Sequence, residues 1–205
     1  MTFTEKLKKA LTEPAFFKEI RKESVASSFI FITIFALVSY IYLTFFYIDQ
    51  INEALARFDI TIQLTLVNFL IWYFAFVAFF LVMSIFRFFF IHLFVKLFKG
   101  KAGYKETYKS LSYSVAPNYY TMPLFILLLI GYASNMLLFY IILPFYMIAV
   151  IYTIYLRSTA LSNTQGIGFW KALLSIYVFG TILQLIAIII IEVIILSIYF
   201  LITIY

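Results

Sequence analysis

The chain has 205 residues, of which 65% are hydrophobic and only 12% are charged. A soluble domain of this size is nearer half apolar and a quarter charged, so a water-facing surface cannot carry this composition, and we expect an integral membrane protein. The absence of cysteine excludes thiol catalysis, disulfides and thiolate metal sites.

Apolar stretches of about 20 residues, the length that crosses a bilayer as a helix, recur along the chain. Their residues do not alternate as in the strands of a membrane barrel, so each stretch is predicted to be a helix. The predicted spans are 25–48, 60–86 with an extension to 98, 111–133, 136–156 and 172–204. The sequence therefore predicts an all-α membrane protein with a tail of residues 1–24 and a five-helix membrane domain of residues 25–205.

The basic residues predict the orientation. Of the 15 Lys and Arg residues, only Arg57 lies in the first or third connection. The others precede the first span or lie in or beside the second and fourth connections. Because basic loops stay in the cytoplasm, we expect a cytoplasmic N-terminus and a C-terminus outside.

The tail is predicted to form two short helices. Thr4 is expected to cap the first helix, and Pro14 to open the second. Both helices have an apolar and a basic face, which suits a membrane surface. The tail is then either an orientation signal and anchor or a docking surface for a cytoplasmic partner.

Prolines and glycines mark the predicted breaks. Pro117 and Pro123 are expected to break or kink the third span, and Pro144 to kink the fourth, as plain packing or as a broken-helix binding site. Residues 131–135 predict a tight hairpin turn. Gly100 is expected to end the extended second helix, and residues 104–107 to begin a new short one.

Residues 92–107 combine a helix containing a histidine, a Gly-rich turn with Gly100 and Gly103, and an aromatic residue. An aromatic-x-x-x-Pro pattern, met by Tyr113 and Pro117, follows. This order resembles the signature of the Yip domain family. Residues 11–20, which include Pro14, resemble the opening of prokaryotic members.

Residues 160–172 resemble the family's last cytoplasmic turn, although Asn163 or Gln165 stands where a histidine is common, and Gly100-Lys101 stands where many members have adjacent glycines. The resemblance covers nearly the whole chain and implies five spans with a cytoplasmic N-terminus. Eukaryotic members are associated with Rab GTPases, vesicle traffic and Golgi shape, but their long acidic N-terminal region and Asp-Leu-Tyr-Gly-Pro motif are absent here. The resemblance thus implies a prokaryotic member in the plasma membrane, and it implies a fold more than a function.

Three polar residues within the predicted spans are candidates for function, namely Asn68, Gln184 and Glu192. An ionisable group in a span is a functional candidate by default. Glu192 is expected to be a proton, ion or substrate site, or else a hydrogen-bonded residue that holds helices or subunits together.

A second set of candidates surrounds the basic second connection and is expected to bind lipid or a partner: Arg87, His92, Lys96, Lys99, Lys101, Lys105 and Lys109. His92 binds lipid phosphate with its basic neighbours in one interpretation and is a simple interfacial anchor in the other. A lone histidine is not expected to form a metal site, because metals need several converging ligands.

These patterns predict a membrane scaffold or adaptor whose basic cytoplasmic face binds anionic headgroups or a protein, with a homo-oligomer allowed. The alternative is a small channel or transporter lined by Glu192, Asn68 and the proline-kinked helices. Catalytic motifs are absent from the sequence, so we expect neither an enzyme nor a cofactor. Nucleic-acid binding is not expected, because the basic residues are scattered over short loops.

Overall fold

The computed structural model describes residues 2–56, 66–182 and 186, and every regular element within these residues is helical. The α-helices are α1 (Phe3–Thr12), α2 (Phe16–Glu19), α3 (Val25–Ala56), α4 (Leu66–Leu97), α5 (Tyr104–Tyr113), α6 (Asn118–Ser134), α7 (Met136–Gln165) and α8 (Phe169–Leu173). A 3-10 turn at Ile20–Lys22 follows α2, and a π-helical segment at Leu174–Phe179 follows α8.

Three helical segments are long and apolar enough to cross a membrane, namely Val25–Tyr42, Asn68–Leu97 and Met136–Gln165. A fourth candidate is a broken span made of Tyr104–Tyr113 and Asn118–Tyr132, which are bent by 43°. The predicted all-helical membrane fold is therefore confirmed, with three or four spans among the described residues. Most of the fifth predicted span, 172–204, lies outside them.

The third predicted span differs from the structure at its start. It was expected over 111–133 with a break or kink at Pro117. In the structure residues 111–113 belong to α5, which begins at Tyr104, and the helix breaks over 114–117 before α6. Pro117 stands immediately before α6, where its missing N–H costs no helical hydrogen bond. Pro123 and Pro144, by contrast, lie inside α6 and α7, which continue through them.

The predicted hairpin turn is present between α6 and α7. The Asn135 side-chain oxygen accepts hydrogen bonds from the backbone N–H groups of Leu137 at 2.9 Å and Leu138 at 3.4 Å, which caps α7. A Cβ on Gly131 would lie 2.8 Å from the backbone nitrogen of Phe139. Glycine therefore allows the two helices to approach closely beside the turn.

The end of α4 is a complete Schellman motif. The N–H of Lys99 donates to the carbonyl of Lys96, and the N–H of Gly100 donates to the carbonyl of Val95, both at 2.9 Å. Gly100 was expected to end this helix, but the left-handed residue is Lys99, with φ 63°. Gly100 is needed for space instead, because a Cβ there would lie 2.4 Å from Cγ1 of Val95.

Two apolar cores hold the helices together. The first contains Phe31 and Phe35 of α3, Tyr113 of α5 and Leu156 of α7, together with residues of the tail. The second joins α3, α4, α5, the end of α7 and the segment after α8. Since both cores involve α3, α5 and α7, these helices position the surface described next.

Candidate functional site

The last turn of α7 binds the tail through side chains and carbonyls. Thr164 Oγ1 donates to the carbonyl of Phe17 at 3.1 Å, and its own carbonyl accepts from Arg21 Nη2 at 3.0 Å. Asn163 Nδ2 donates to the carbonyl of Pro14 at 3.0 Å. The bonds from Asn163 and Thr164 thus reach carbonyls at the irregular joints of the tail.

The next residue of α7, Gln165, binds the turn between α4 and α5. Its side-chain oxygen accepts from the N–H of Ala102 at 3.2 Å, and its Nε2 donates to Thr107 Oγ1 at 2.7 Å. The backbone carbonyl of Gln165 accepts from the N–H of Lys101 at 2.9 Å. The same Thr107 hydroxyl is 2.8 Å from Nδ1 of His92.

One short segment of α7 therefore ties the tail and the α4–α5 turn into a single body. We call the surface made by residues 2–24, 92–110 and 162–171 the basic cap. Gln165 and Thr107 are fully buried, and a buried polar network whose members are satisfied rigidifies its surroundings.

The apolar face of the tail lies inside the protein. Ala10, Phe17 and Ile20 have 0% exposure, and the tail packs against Phe31 and Tyr113 of the first core. The tail was expected to lie on a membrane surface, but its apolar face is already covered by the helix bundle. Its charged face remains outward, with Lys8, Lys18, Arg21 and Lys22 exposed beside Glu5, Glu13 and Glu19. The cap of α1 is Thr2, with Glu5 completing a capping box, rather than the expected Thr4.

A charged contact fixes α1 to the start of α3. Lys6 Nζ donates to the Glu23 carboxylate at 2.5 Å and to Ser27 Oγ at 2.7 Å. Burial opposes the charge of Lys6, but the Glu23 carboxylate and the neighbouring Tyr113 outweigh it and raise the pKa of Lys6. Lys6 thus stays protonated and paired with Glu23 where the tail meets the bundle.

Two members of the predicted lipid- or partner-binding set lie inside the cap and not on its surface. Lys109 is 4% exposed, and its ammonium donates to the carbonyls of Arg21 at 3.0 Å and Glu23 at 3.1 Å. His92 is 8% exposed and contacts Thr107. Both side chains are buried and contact protein groups, so they hold the segments of the cap together.

Four other members of that set are exposed together around the α4–α5 turn, namely Lys96, Lys99, Lys101 and Lys105. Lys96 Nζ donates a hydrogen bond to the carbonyl of Gly100 at 3.0 Å. The tail and α8 add further exposed basic residues to the cap: Lys8, Lys18, Arg21, Lys22 and Lys171. The cap thus presents an extended basic surface.

Arg87 does not belong to this surface. It lies ten residues before the end of α4, about 15 Å along the helix. There it lines a cavity together with Arg157 of α7. The sequence interpretation placed Arg87 with the basic face and did not single out Arg157.

The remaining predicted residues are placed as follows. Asn68 lies in the first turn of α4, near the end remote from the cap, whereas Gln184 and Glu192 lie outside the described residues. Of the family-motif residues, Gly103 precedes α5, and the Tyr113 hydroxyl lies 2.8 Å from Ser27 Oγ. Pro14 accepts from Asn163, and Pro117 precedes α6.

Sequence reasoning did not identify Asn163, Thr164 and Gln165 as the centre of the cap. A usable signal was present, because three polar residues end an otherwise apolar helix just before Gly166. Gly166 closes α7 with φ 67°, the left-handed conformation that favours glycine.

A family model, described as Yip1 domain, matches residues 8–191. The matched region includes α2 to α8 and the second half of α1. No curated protein and no solved structure matches the chain. The family match covers most of the chain, and its span takes in the docked tail, the α4–α5 turn and the end of α7. This helical membrane protein therefore belongs to the Yip1 domain family.

Proposed function

We propose that the protein is a membrane scaffold or adaptor whose basic cap faces the cytoplasm and binds anionic lipid headgroups. In this proposal five helices span a prokaryotic plasma membrane and the C-terminus lies outside. The distribution of charge supports the orientation, because 14 of the 15 basic residues lie in or near the segments that form or adjoin the cap.

The observation that carries the proposal is the exposure of Lys96, Lys99, Lys101 and Lys105 around one turn whose backbone is clamped to Gln165. A clamped turn already has an ordered backbone, so only the lysine side chains must be ordered at the moment of binding. Basic residues near an anionic leaflet gain about 1 kcal/mol each, so four of them suffice for measurable binding.

The test is co-flotation of the protein, held in nanodiscs of neutral lipid, with added vesicles. We expect binding to vesicles that contain phosphatidylglycerol and little binding to pure phosphatidylcholine. Salt should weaken the binding, because the Debye length falls from about 10 Å at 0.1 M to about 3 Å at 1 M.

Two matched variants of three cap lysines separate the effect of charge from that of side-chain shape. Replacing Lys99, Lys101 and Lys105 by Gln should reduce binding by about a hundredfold, from about 1 kcal/mol for each lost charge. Replacing the same three residues by Arg keeps the charge and should keep the binding. Equal binding of the Gln and Arg variants would refute the role of the cap.

We propose further that the protein is not an enzyme and that it acts through binding. The buried polar side chains of His92, Thr107 and Gln165 are engaged in holding the segments of the cap together. The channel or transporter alternative stays a prediction that no observation favours, since Glu192, on which it rests, lies outside the described residues.

A further inference from the structure

A cavity of ≈ 530 Å³ lies beneath the basic cap, between α3, α4, α5, α6, Arg157 of α7 and the segment after α8. Its volume falls within the range of about 300–1,000 Å³ that is usual for small-molecule sites. One part of its wall is apolar, with Phe76, Phe79 and Phe80 of α4. The other part contains the guanidinium groups of Arg87 and Arg157.

The two arginines bring positive charge that no described lining residue matches. None of the lining residues within the described part of the chain is acidic. The ion pairs found in that part, Lys6–Glu23 and Lys109–Glu106, both belong to the cap. Arg157 Nε makes one long hydrogen bond of 3.4 Å to the carbonyl of Ser114. Since arginine stays protonated, two cations share an apolar cavity, and an anionic ligand would complete it.

The arginines lie at a common depth. Arg87 is ten residues from the end of α4, about 15 Å, and Arg157 is eight residues from the end of α7, about 12 Å. Both helices end at the cap. Phe76 lies 11 residues further from the cap than Arg87, about 16 Å deeper. This distance is close to half of the bilayer's hydrocarbon core of about 30 Å.

The two arginines of the cavity thus lie near the cap. From them the apolar wall continues away from the cap for about the thickness of one leaflet. Guanidinium groups suit phosphate, because their planar donors pair with two oxygens at once. Phe79 and Phe86, which line the cavity, are 59% and 57% exposed, so the cavity wall is continuous with the outer surface of the bundle.

We propose that this cavity binds one anionic phospholipid from the leaflet on the cap side. The phosphate lies between Arg87 and Arg157, and an acyl chain runs along α4 toward Phe76. This site is separate from the exposed lysines of the cap. It binds a single lipid molecule inside the bundle, whereas the cap contacts a surface of many headgroups.

Native mass spectrometry of the delipidated protein in detergent tests this proposal by titration with lipids of matched acyl chains. We expect one phosphatidylglycerol to be retained with an affinity about tenfold or more above that for phosphatidylcholine. Diacylglycerol, which has no phosphate, should not be retained. Equal retention of phosphatidylglycerol and phosphatidylcholine by the native sequence would overturn the proposal.

Substitutions then locate the site. Arg87→Gln combined with Arg157→Gln should lose the preference for phosphatidylglycerol, whereas Lys101→Gln combined with Lys105→Gln should keep it. Loss in the lysine variant alone would assign the lipid to the cap and refute the cavity. If the arginine variant does not fold, the lipid series on the native sequence still decides.

Inorganic phosphate provides the last arm of the test. If binding needs both the phosphate and the acyl chain of the lipid, inorganic phosphate at a similar concentration should not displace the lipid. Displacement at that concentration would mean that the cavity binds a free anion, which contradicts a lipid site.

Discussion

Gly100 shows how one residue couples two helices in this protein. A Cβ at Gly100 would meet Cγ1 of Val95 at 2.4 Å and the Gln165 side-chain oxygen at 2.9 Å. Val95 is fully buried and β-branched, so it cannot move aside easily. Glycine here therefore serves both the Schellman motif of α4 and the clamp from α7.

Replacing Gly100 by Ala should destabilise the protein by about 1–3 kcal/mol, because the added methyl group overpacks the joint between α4 and α7. Gly168→Ala is the matched control. Nothing lies within 4 Å of a Cβ at Gly168, and its φ of −64° suits alanine.

Thermal denaturation in detergent measures both variants. The control should stay within about 1 kcal/mol of the native protein, because the restriction of the unfolded chain by alanine offsets its poorer fit as the N-cap of α8. A Gly100→Ala protein as stable as the native one would show that the clamp is loose.

At the scale of whole elements, the tail packs as part of the fold. Its buried face contributes Phe16, Phe17 and Ile20 to the first core, and its joints bind α5 and α7. Lys109 is central to this docking, because its buried ammonium serves two tail carbonyls at once. An unpartnered buried carbonyl costs about 1–3 kcal/mol, so the lysine and the tail depend on each other.

Lys109→Met should therefore loosen the tail and lower stability by about 1–3 kcal/mol, since methionine retains the apolar stem but not the donors. Trypsin should then cleave faster after Arg21 and Lys22. Lys105→Met on the exposed face of the same helix is the control and should match the native cleavage rate. Equal cleavage rates for the two variants would contradict the docking role.

At the scale of the whole molecule, the cap and the Asn135 hairpin lie at opposite ends of α7. A helix of 30 residues separates them by about 45 Å, enough to cross a bilayer. The proposed orientation therefore puts the cap on one side of the membrane and the hairpin on the other.

The absence of cysteine allows a direct test of this orientation with single-cysteine variants. With a membrane-impermeant maleimide on intact cells, Tyr132→Cys should react. Lys18→Cys and Lys105→Cys should react only after the membrane is permeabilised. All three positions are exposed in the fold, so a failure to react reports sidedness. Labelling of Lys18→Cys on intact cells would reverse the proposed orientation.

The sequence by itself determined the membrane class, the helical fold, the break at Pro117 and the turn at Asn135. It also predicted the family that the family model then confirmed. These features depend on composition or on contacts within a few residues. Local chemistry is sufficient for them, as the side chain of Asn135 capping its own helix illustrates.

Only the tertiary structure decided what each apolar or basic face contacts. The bond between Asn163 and Pro14 joins residues 149 positions apart, and that between Gln165 and Thr107 joins residues 58 apart. An apolar face satisfies lipid and protein equally well, so periodicity alone cannot tell a tail on the membrane from a tail in the core. For the same reason, the sequence interpretation grouped Arg87 with surface lysines, whereas in the structure it lines the cavity together with Arg157 of α7.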